Sequence, residues 1–317
     1  MNFLKQTLAA LAIAALPLAA MSAPAKVMAP AGPGGGYDAA ARVPLQIMQR
    51  TGIFTDGFQV TNKGGAGGTI GLAEFVRTGK GDDNAIMSMG AILVGSIITN
   101  KSPVTLDQVV PLVRLSIDTG AIVVAADSPI KTAADALQAF KSNPGGTTIA
   151  GGSIGGTDHV TAALLAKAVD VAPAKINYLP YASGAEVVTA LASGQAKIGI
   201  SGLSEVKSYV SQGRLRIIAV SSEQRLPGID APTLKESGYD VVIGNWRGIV
   251  GAPGMSKAGR DMWLQRYAKL HASPEWKKAL ADYGWDDAYL AGDDFTAFLA
   301  QEKVRQAEVL KDVGLVK

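Results

Sequence analysis

The chain has 317 residues, 48% of them apolar and 18% charged, with 37 glycines, two histidines, no cysteine and a formal net charge of +3. That length corresponds to about two domains with a sizeable core, and the missing thiols exclude disulfide frameworks, thiolate nucleophiles, cysteine-ligated zinc and iron–sulfur clusters. Two histidines leave little from which to build an imidazole metal site, so no metal and no cofactor is expected. The charge is balanced and never collects in a run of five or six like residues, which excludes nucleic acid as a partner.

Residues 1–5 carry one lysine, 7–20 form an apolar run rich in Ala and Leu, and Ala20-Met21-Ser22-Ala23-Pro24-Ala25 follows. This is the layout of a secretory signal peptide over 1–25, with an apolar run too short to span a bilayer. No cysteine is available for lipidation. The mature chain is therefore expected in the periplasm as a soluble protein.

From residue 26 onward, β-branched runs alternate with Ala-rich helical stretches. Strands are predicted at 26–30, 57–61, 84–88, 120–125, 147–150, 176–179, 196–201, 215–221 and 243–251, and helices at 37–50, 70–77, 132–141, 157–169, 185–193 and 204–212. Continuous apolar strands, each followed by a helix, predict parallel sheets covered on both faces, the α/β class. After Gly254 three helices are predicted, at 258–272, 274–283 and 295–313, the second opened by Ser273-Pro274 as cap and first-turn proline. They read as a helical cap on one lobe.

One internal repeat rises above this background. Gly35-Gly36-Tyr37-Asp38 follows the first strand and Gly155-Gly156-Thr157-Asp158 follows the strand at 147–150, 120 residues later. Paired glycines admit positive φ and close approach of a ligand, and the helix behind each turn directs free N–H groups and a partial positive charge at its occupant. A carboxylate or phosphate suits such a turn. Two of them predict two lobes facing across a cleft, with Asp38 and Asp158 bracing their turns rather than touching an anion. A third cluster, Gly64-Gly65-Ala66-Gly67-Gly68, fits no nucleotide-binding pattern and is expected at the cleft rim.

Taken together, several motifs resemble the solute-binding proteins of tripartite tricarboxylate transporters, the TctC or Bug family. They are Ala29-Pro30-Ala31-Gly32-Pro33-Gly34-Gly35-Gly36-Tyr37-Asp38 with Arg42, Asn62-Lys63-Gly64-Gly65-Ala66-Gly67-Gly68, Tyr181-Ala182-Ser183-Gly184-Ala185-Glu186, Leu191-Ala192-Ser193-Gly194-Gln195, Gly213-Arg214-Leu215-Arg216, the Trp246 region and Ala252-Pro253-Gly254. The resemblance implies a type II periplasmic binding protein: two α/β lobes around a ligand cleft, joined by crossing hinge strands near 117–120 and 221–225. Lobe 1 would comprise 26–118 plus 226–317 and lobe 2 119–225. It further implies capture of a small organic carboxylate, di- or tricarboxylate and citrate-like, and delivery to integral membrane permease subunits, with the receptor acting as a monomer and not as an enzyme. Implied ligand positions are Gly35, Gly36, Tyr37 and Asp38; Ser88, Met89 and Gly90; Ser153, Gly155, Gly156, Thr157, Asp158 and His159; and Tyr181 and Ser201.

Individual side chains admit separate expectations. Tyr37 is a candidate lid whose hydroxyl donates to ligand, and His159 a donor whose protonation would raise affinity at mildly acid pH. Arg247, in Asn245-Trp246-Arg247-Gly248, is a second-tier candidate for a bidentate carboxylate fork. Trp246 and His271 read as structural. The competing class is a secreted serine hydrolase, because Gly151-Gly152-Ser153-Ile154-Gly155 satisfies G-x-S-x-G at a strand-to-helix turn.

Overall fold

The computed structural model describes residues 24–316, so the signal-peptide reading, up to residue 23, lies outside the described residues. In chain order the elements are β1 (Ala25–Ala29), α1 (Gly36–Arg50), β2 (Phe58–Asn62), α2 (Thr69–Thr78), β3 (Ala85–Gly90), α3 (Ala91–Thr99), β4 (Val110–Ala125), α4 (Ala133–Ser142), β5 (Ile149–Gly151), α5 (Thr157–Ala168) and β6 (Tyr178–Pro180). Then come α6 (Gly184–Ala192), β7 (Ile198–Gly202), α7 (Leu203–Ser211), β8 (Leu215–Val220), β9 (Gly244–Gly251), α8 (Lys257–Ala272), α9 (Pro274–Tyr283), β10 (Trp285–Ala291) and α10 (Gly292–Asp312). The α/β class is the observed one.

Sheet order is β2-β1-β3-β9-β4-β7-β5-β6, with β8 and β10 also on β4. The outer triplets are parallel as expected: β1 pairs with β2 and β3, and β5 with β6 and β7. The middle is not. Strands β9 and β4 run antiparallel to their neighbours, so the sheet is mixed, and β4 reaches ten residues further N-terminally than the predicted 120–125. Pro111, Arg114 and Asp118 interrupt the apolar run there, which is why periodicity missed it.

Strand β4 changes partners along its length. Its first part pairs with β9 and β10, and from Gly120 or Ala121 onward it pairs with β7 and β8. Ser221 staples this switch: its fully buried Oγ accepts from Gly120 N at 3.0 Å and donates to Ile243 O at 2.7 Å.

Two further differences concern the tail and β3. Residues 285–291 form β10, antiparallel to β4, in a tail expected to be helical; α3 follows β3 directly through Gly90 and was not predicted. Helices α8 and α9 do cap α1, burying Trp263, Tyr267 and Trp276 against Leu45 and Met48. The other half of the sheet is filled by a separate cluster around Ile122, Phe140, Leu165 and Ile198.

Candidate functional site

A cavity of 380 Å³ opens at the carboxyl ends of β1, β5, β6 and β7, where ligands of α/β sheets lie. Its walls come from 30–37, the 64–68 loop, 152–158, 180–184, Ser201 to Glu205, and Asn245 with Arg247 on β9.

The two glycine turns have the same backbone. Gly34 and Gly155 both take φ of 78°, and Gly35 and Gly156 are both extended helix caps, at φ −80°, ψ 170° and φ −78°, ψ 173°. Structural equivalence is thus shifted by one residue from the sequence repeat: Gly34 matches Gly155, Tyr37 matches Asp158, and Asp38 matches His159. The hydrogen bonds follow this register. Gly34 N donates to Asp38 Oδ2 at 3.0 Å, and Gly155 N donates to His159 Nδ1 at 3.1 Å.

Asp38 braces its turn as expected, also accepting from Arg42 Nε and Asn62 Nδ2, both at 2.8 Å. Burial pushes its carboxyl up, but the hydrogen bonds from Asn62, Gly34 N and Arg42 outweigh this and hold it below the usual range. His159 is the corresponding brace, and that corrects its expected role. Its Nδ1 is an acceptor, its ring packs against Tyr178 in a tilted pair with centroids 4.4 Å apart, and burial depresses its pKa to about 4, so it does not charge at mildly acid pH. Asp158 braces its turn too, as expected, and, shifted by one residue from Asp38, it also reaches the cavity. Its Oδ2 accepts from Gly152 N at 2.9 Å, and burial, reinforced by Glu205, pushes it up to about 7.

Tyr37 lines the cavity with its ring only. Its hydroxyl accepts from Leu93 N at 2.8 Å at the start of α3, and burial raises its pKa to about 12; it does not donate to a ligand from that position. Gly36 N donates to Glu205 Oε1 at 2.7 Å, and Ser201 Oγ to Glu205 Oε2 at 3.0 Å. The first turn's best-placed amide therefore already holds a carboxylate of the protein itself.

Of the remaining expected positions, Ser153, Tyr181 and Ser201 line the cavity. Gly35, Gly155, Gly156 and Thr157 stand behind it as turn and cap. Ser88, Met89 and Gly90 do not reach it: Ser88 Oγ donates to Tyr37 O at 2.9 Å, Met89 is fully buried in the core, and Gly90 backs onto the Trp246 carbonyl.

The strongest cationic group in the cavity is Arg247. It is 4% exposed, lies with its guanidinium carbon 5.1 Å from the Tyr37 ring centre, and fits only because residue 36 is glycine, since a Cβ there would run into Nη2. Its nearest carboxylate, Asp118, is 3.9 Å away, beyond hydrogen-bond reach. Asp118 instead accepts from Ser204 Oγ at 2.6 Å and Ser204 N at 3.2 Å, and burial pushes its pKa to about 6 despite Arg247. Beside Arg247, Asn245 is 5% exposed and its Oδ1 has no hydrogen-bond partner among the described residues. Glu205 and Asn245 escaped sequence reasoning. The only available signals were a carboxylate just after a strand end at 198–202 and the polar Asn245-Trp246-Arg247 run inside an apolar strand.

Ser153 has no imidazole partner among the described residues. His159 is engaged by Gly155 N, and His271 pairs with Asp287 at 2.8 Å and stacks on Tyr289, so neither histidine serves the G-x-S-x-G serine as a base.

Residues 50–315 match the model of the TctC family, the tripartite tricarboxylate transporter family receptor. The chain belongs to the TctC family. It is 27% identical over its whole length to a UPF0065 protein of Cupriavidus necator, of which 98% is covered. It is also 26% identical to BugT of Bordetella pertussis over 92% of this chain and 89% of that one. Among solved structures, a ligand-free TctC solute-binding protein from Polaromonas is 29% identical at a TM-score of 0.65, covering 92% of this chain and 99% of that one. MatC of Rhodopseudomonas palustris with bound malate superposes at 0.81 with 18% identity, covering 93% and 100%. An R. palustris protein with adipate superposes at 0.83 with 20% identity, covering 92% and 98%. TctC proteins are solute receptors, and this one is a binding protein rather than an enzyme.

Proposed function

We propose that the chain is a periplasmic receptor that captures a small organic carboxylate in the cavity and delivers it, as a monomer, to the membrane subunits of a tripartite tricarboxylate transporter. Residues 26–118 with 244–317 form one lobe and 119–243 the other, closing about the β4 switch; the return expected at 226 is moved to β9, because Leu226, Ile229, Ala231, Leu234 and Val241 pack into the cores of the second lobe. The observation that carries this reading is Arg247: a buried guanidinium with no side-chain hydrogen bond among the described residues, aimed into the cavity. A buried polar group without partners is costly, and a carboxylate is the fork's geometric complement.

The reading has further support. Two carboxylate complexes share the fold, those of R. palustris with malate and with adipate, and in the arrangement described here the cavity is walled from both sides. A ligand bound to this arrangement and not to an open one drives closure by differential contacts.

Thermal-shift measurements over mono-, di-, tri- and aromatic carboxylates test it. A ligand at a hundredfold excess over its dissociation constant stabilises by about 2.7 kcal/mol. Absence of any shift across the whole series would refute the receptor reading.

A further inference from the structure

Contacts between the two lobes are not confined to the cavity. Ile92, Gly95 and Thr99 recur at i, i+3 and i+7 and so share one face of α3. That face lies against the second glycine turn: Gly95 backs onto the Gly155 carbonyl oxygen, Gly155 onto Thr99 and Gly156 onto Ile92. The approach requires glycine at 95, because a Cβ there would run into the Gly155 oxygen. The backbone of Gly95 itself does not, since it sits mid-helix without a positive φ. Further out, α10 and the residues after it cross onto α5. Leu310 and Leu315 pack with Val160, Leu164 and Ile243 in a small apolar cluster that α3 joins through Ile98, and Lys167 pairs with Asp312. Inside the cleft, Gly36 N donates to Glu205 Oε1 at 2.7 Å, a third link from one lobe to the other.

From these three contacts we propose that the closed arrangement is latched by the protein itself: α3 clasps the 153–156 turn, the lobes close before ligand binds, and Gly95 sets how much of the population is closed. The proposal rests on the two-lobe receptor reading above and goes beyond it, since Gly95 is not among the residues that line the cavity. A helix face without a Cβ at its centre lets two backbones meet at van der Waals distance, and the Leu310 cluster adds buried apolar surface. Ligand then selects molecules that are already closed, and its apparent affinity scales with the closed fraction. Affinity is thereby set in part by a residue that never meets the ligand.

The chain has no cysteine, so Ala73→Cys on α2 and Thr189→Cys on α6, both at exposed positions, place one spin-label pair across the lobes of the mature protein. Double electron–electron resonance without ligand should show two distances, the shorter being that of the closed lobes described above. Gly95→Ala favours α3 as a helix but cannot seat against Gly155. It should remove the shorter distance and weaken binding of malate or adipate by roughly tenfold or more, with the circular dichroism spectrum unchanged. A single, longer distance in the ligand-free protein overturns the latch whatever the variant does. So does a Gly95→Ala variant whose ligand-free distances match those of the parent, whether or not its affinity falls, because a loss of affinity alone would then be a local distortion of the turn. If neither malate, adipate nor any other carboxylate binds, the receptor reading fails, and the ligand-free distances still decide the latch.

Discussion

Arg247 Nη2 lies 3.9 Å from Asp118 Oδ2 on the neighbouring strand, and both side chains are almost wholly buried. The spacing gives Arg247 a compensating charge without using its donors, because Asp118 spends its oxygens on Ser204 at the start of α7. A guanidinium held by charge alone keeps its planar fork for something else. Arg247→Lys preserves the charge and removes the fork. It should weaken carboxylate binding by about 30-fold or more, the effect of losing about 2 kcal/mol from a buried charged contact. Titration calorimetry reads this, with circular dichroism confirming that the variant folds.

Gly36 sets the space for that guanidinium. Gly36→Ala places a methyl against Arg247 Nη2 and close to Glu205 Oε1. The residue is inside α1, where alanine is the better helix former, so the chain should fold with undiminished helicity while binding falls by at least about tenfold. Normal affinity in this variant would show that Arg247 does not define the ligand position.

Near neutral pH the pH dependence of stability is set chiefly by Asp158, because Asp118, raised only to about 6, acts in the same sense at lower pH. Its ordinary carboxyl pKa, about 3.9 in the unfolded chain, rises to about 7 in the folded protein, so the folded state holds the proton more tightly between these values. Stability is then lost as pH rises through this window and is regained on acidification. Between pH 8 and 6.5 the ligand-free protein should therefore gain melting temperature as the pH is lowered, and Asp158→Asn should flatten the profile. His159 acts in the opposite sense, because its folded pKa of about 4 lies below the unfolded value of about 6.5, but its effect begins only below that window. Differential scanning calorimetry across pH separates the two.

Ser221 is expected to matter for stability out of proportion to its size. Ser221→Ala leaves Gly120 N and Ile243 O without their hydroxyl partner where β4 changes neighbours. Each buried orphan costs about 1–3 kcal/mol, so denaturant unfolding should show a loss in that range or above it, with the cavity residues untouched.

The legible part of the molecule was whatever repeats locally. Apolar strands followed by Ala-rich helices located most of β1 to β9, and the glycine turns were visible because positive φ at Gly34 and Gly155 needs glycine. Strand β10 was hidden because Trp285-Asp286-Asp287 reads as a polar helix end, and its pairing with β4 is purely tertiary. The one-residue offset between the turns could not be read from letters, since Asp and His perform the same bracing bond at Asp38 and His159. Glu205 was equally hidden: its partner Gly36 lies 169 residues away, and only the folded sheet brings the two together.

A crystal structure of the protein with the carboxylate that gives the largest thermal shift provides the most direct test. Its carboxylate should sit within hydrogen-bond distance of both terminal nitrogens of Arg247, in the cavity between Tyr37, Asn245 and Glu205. A ligand bound away from Arg247, with the guanidinium still facing only Asp118, would contradict the mechanism.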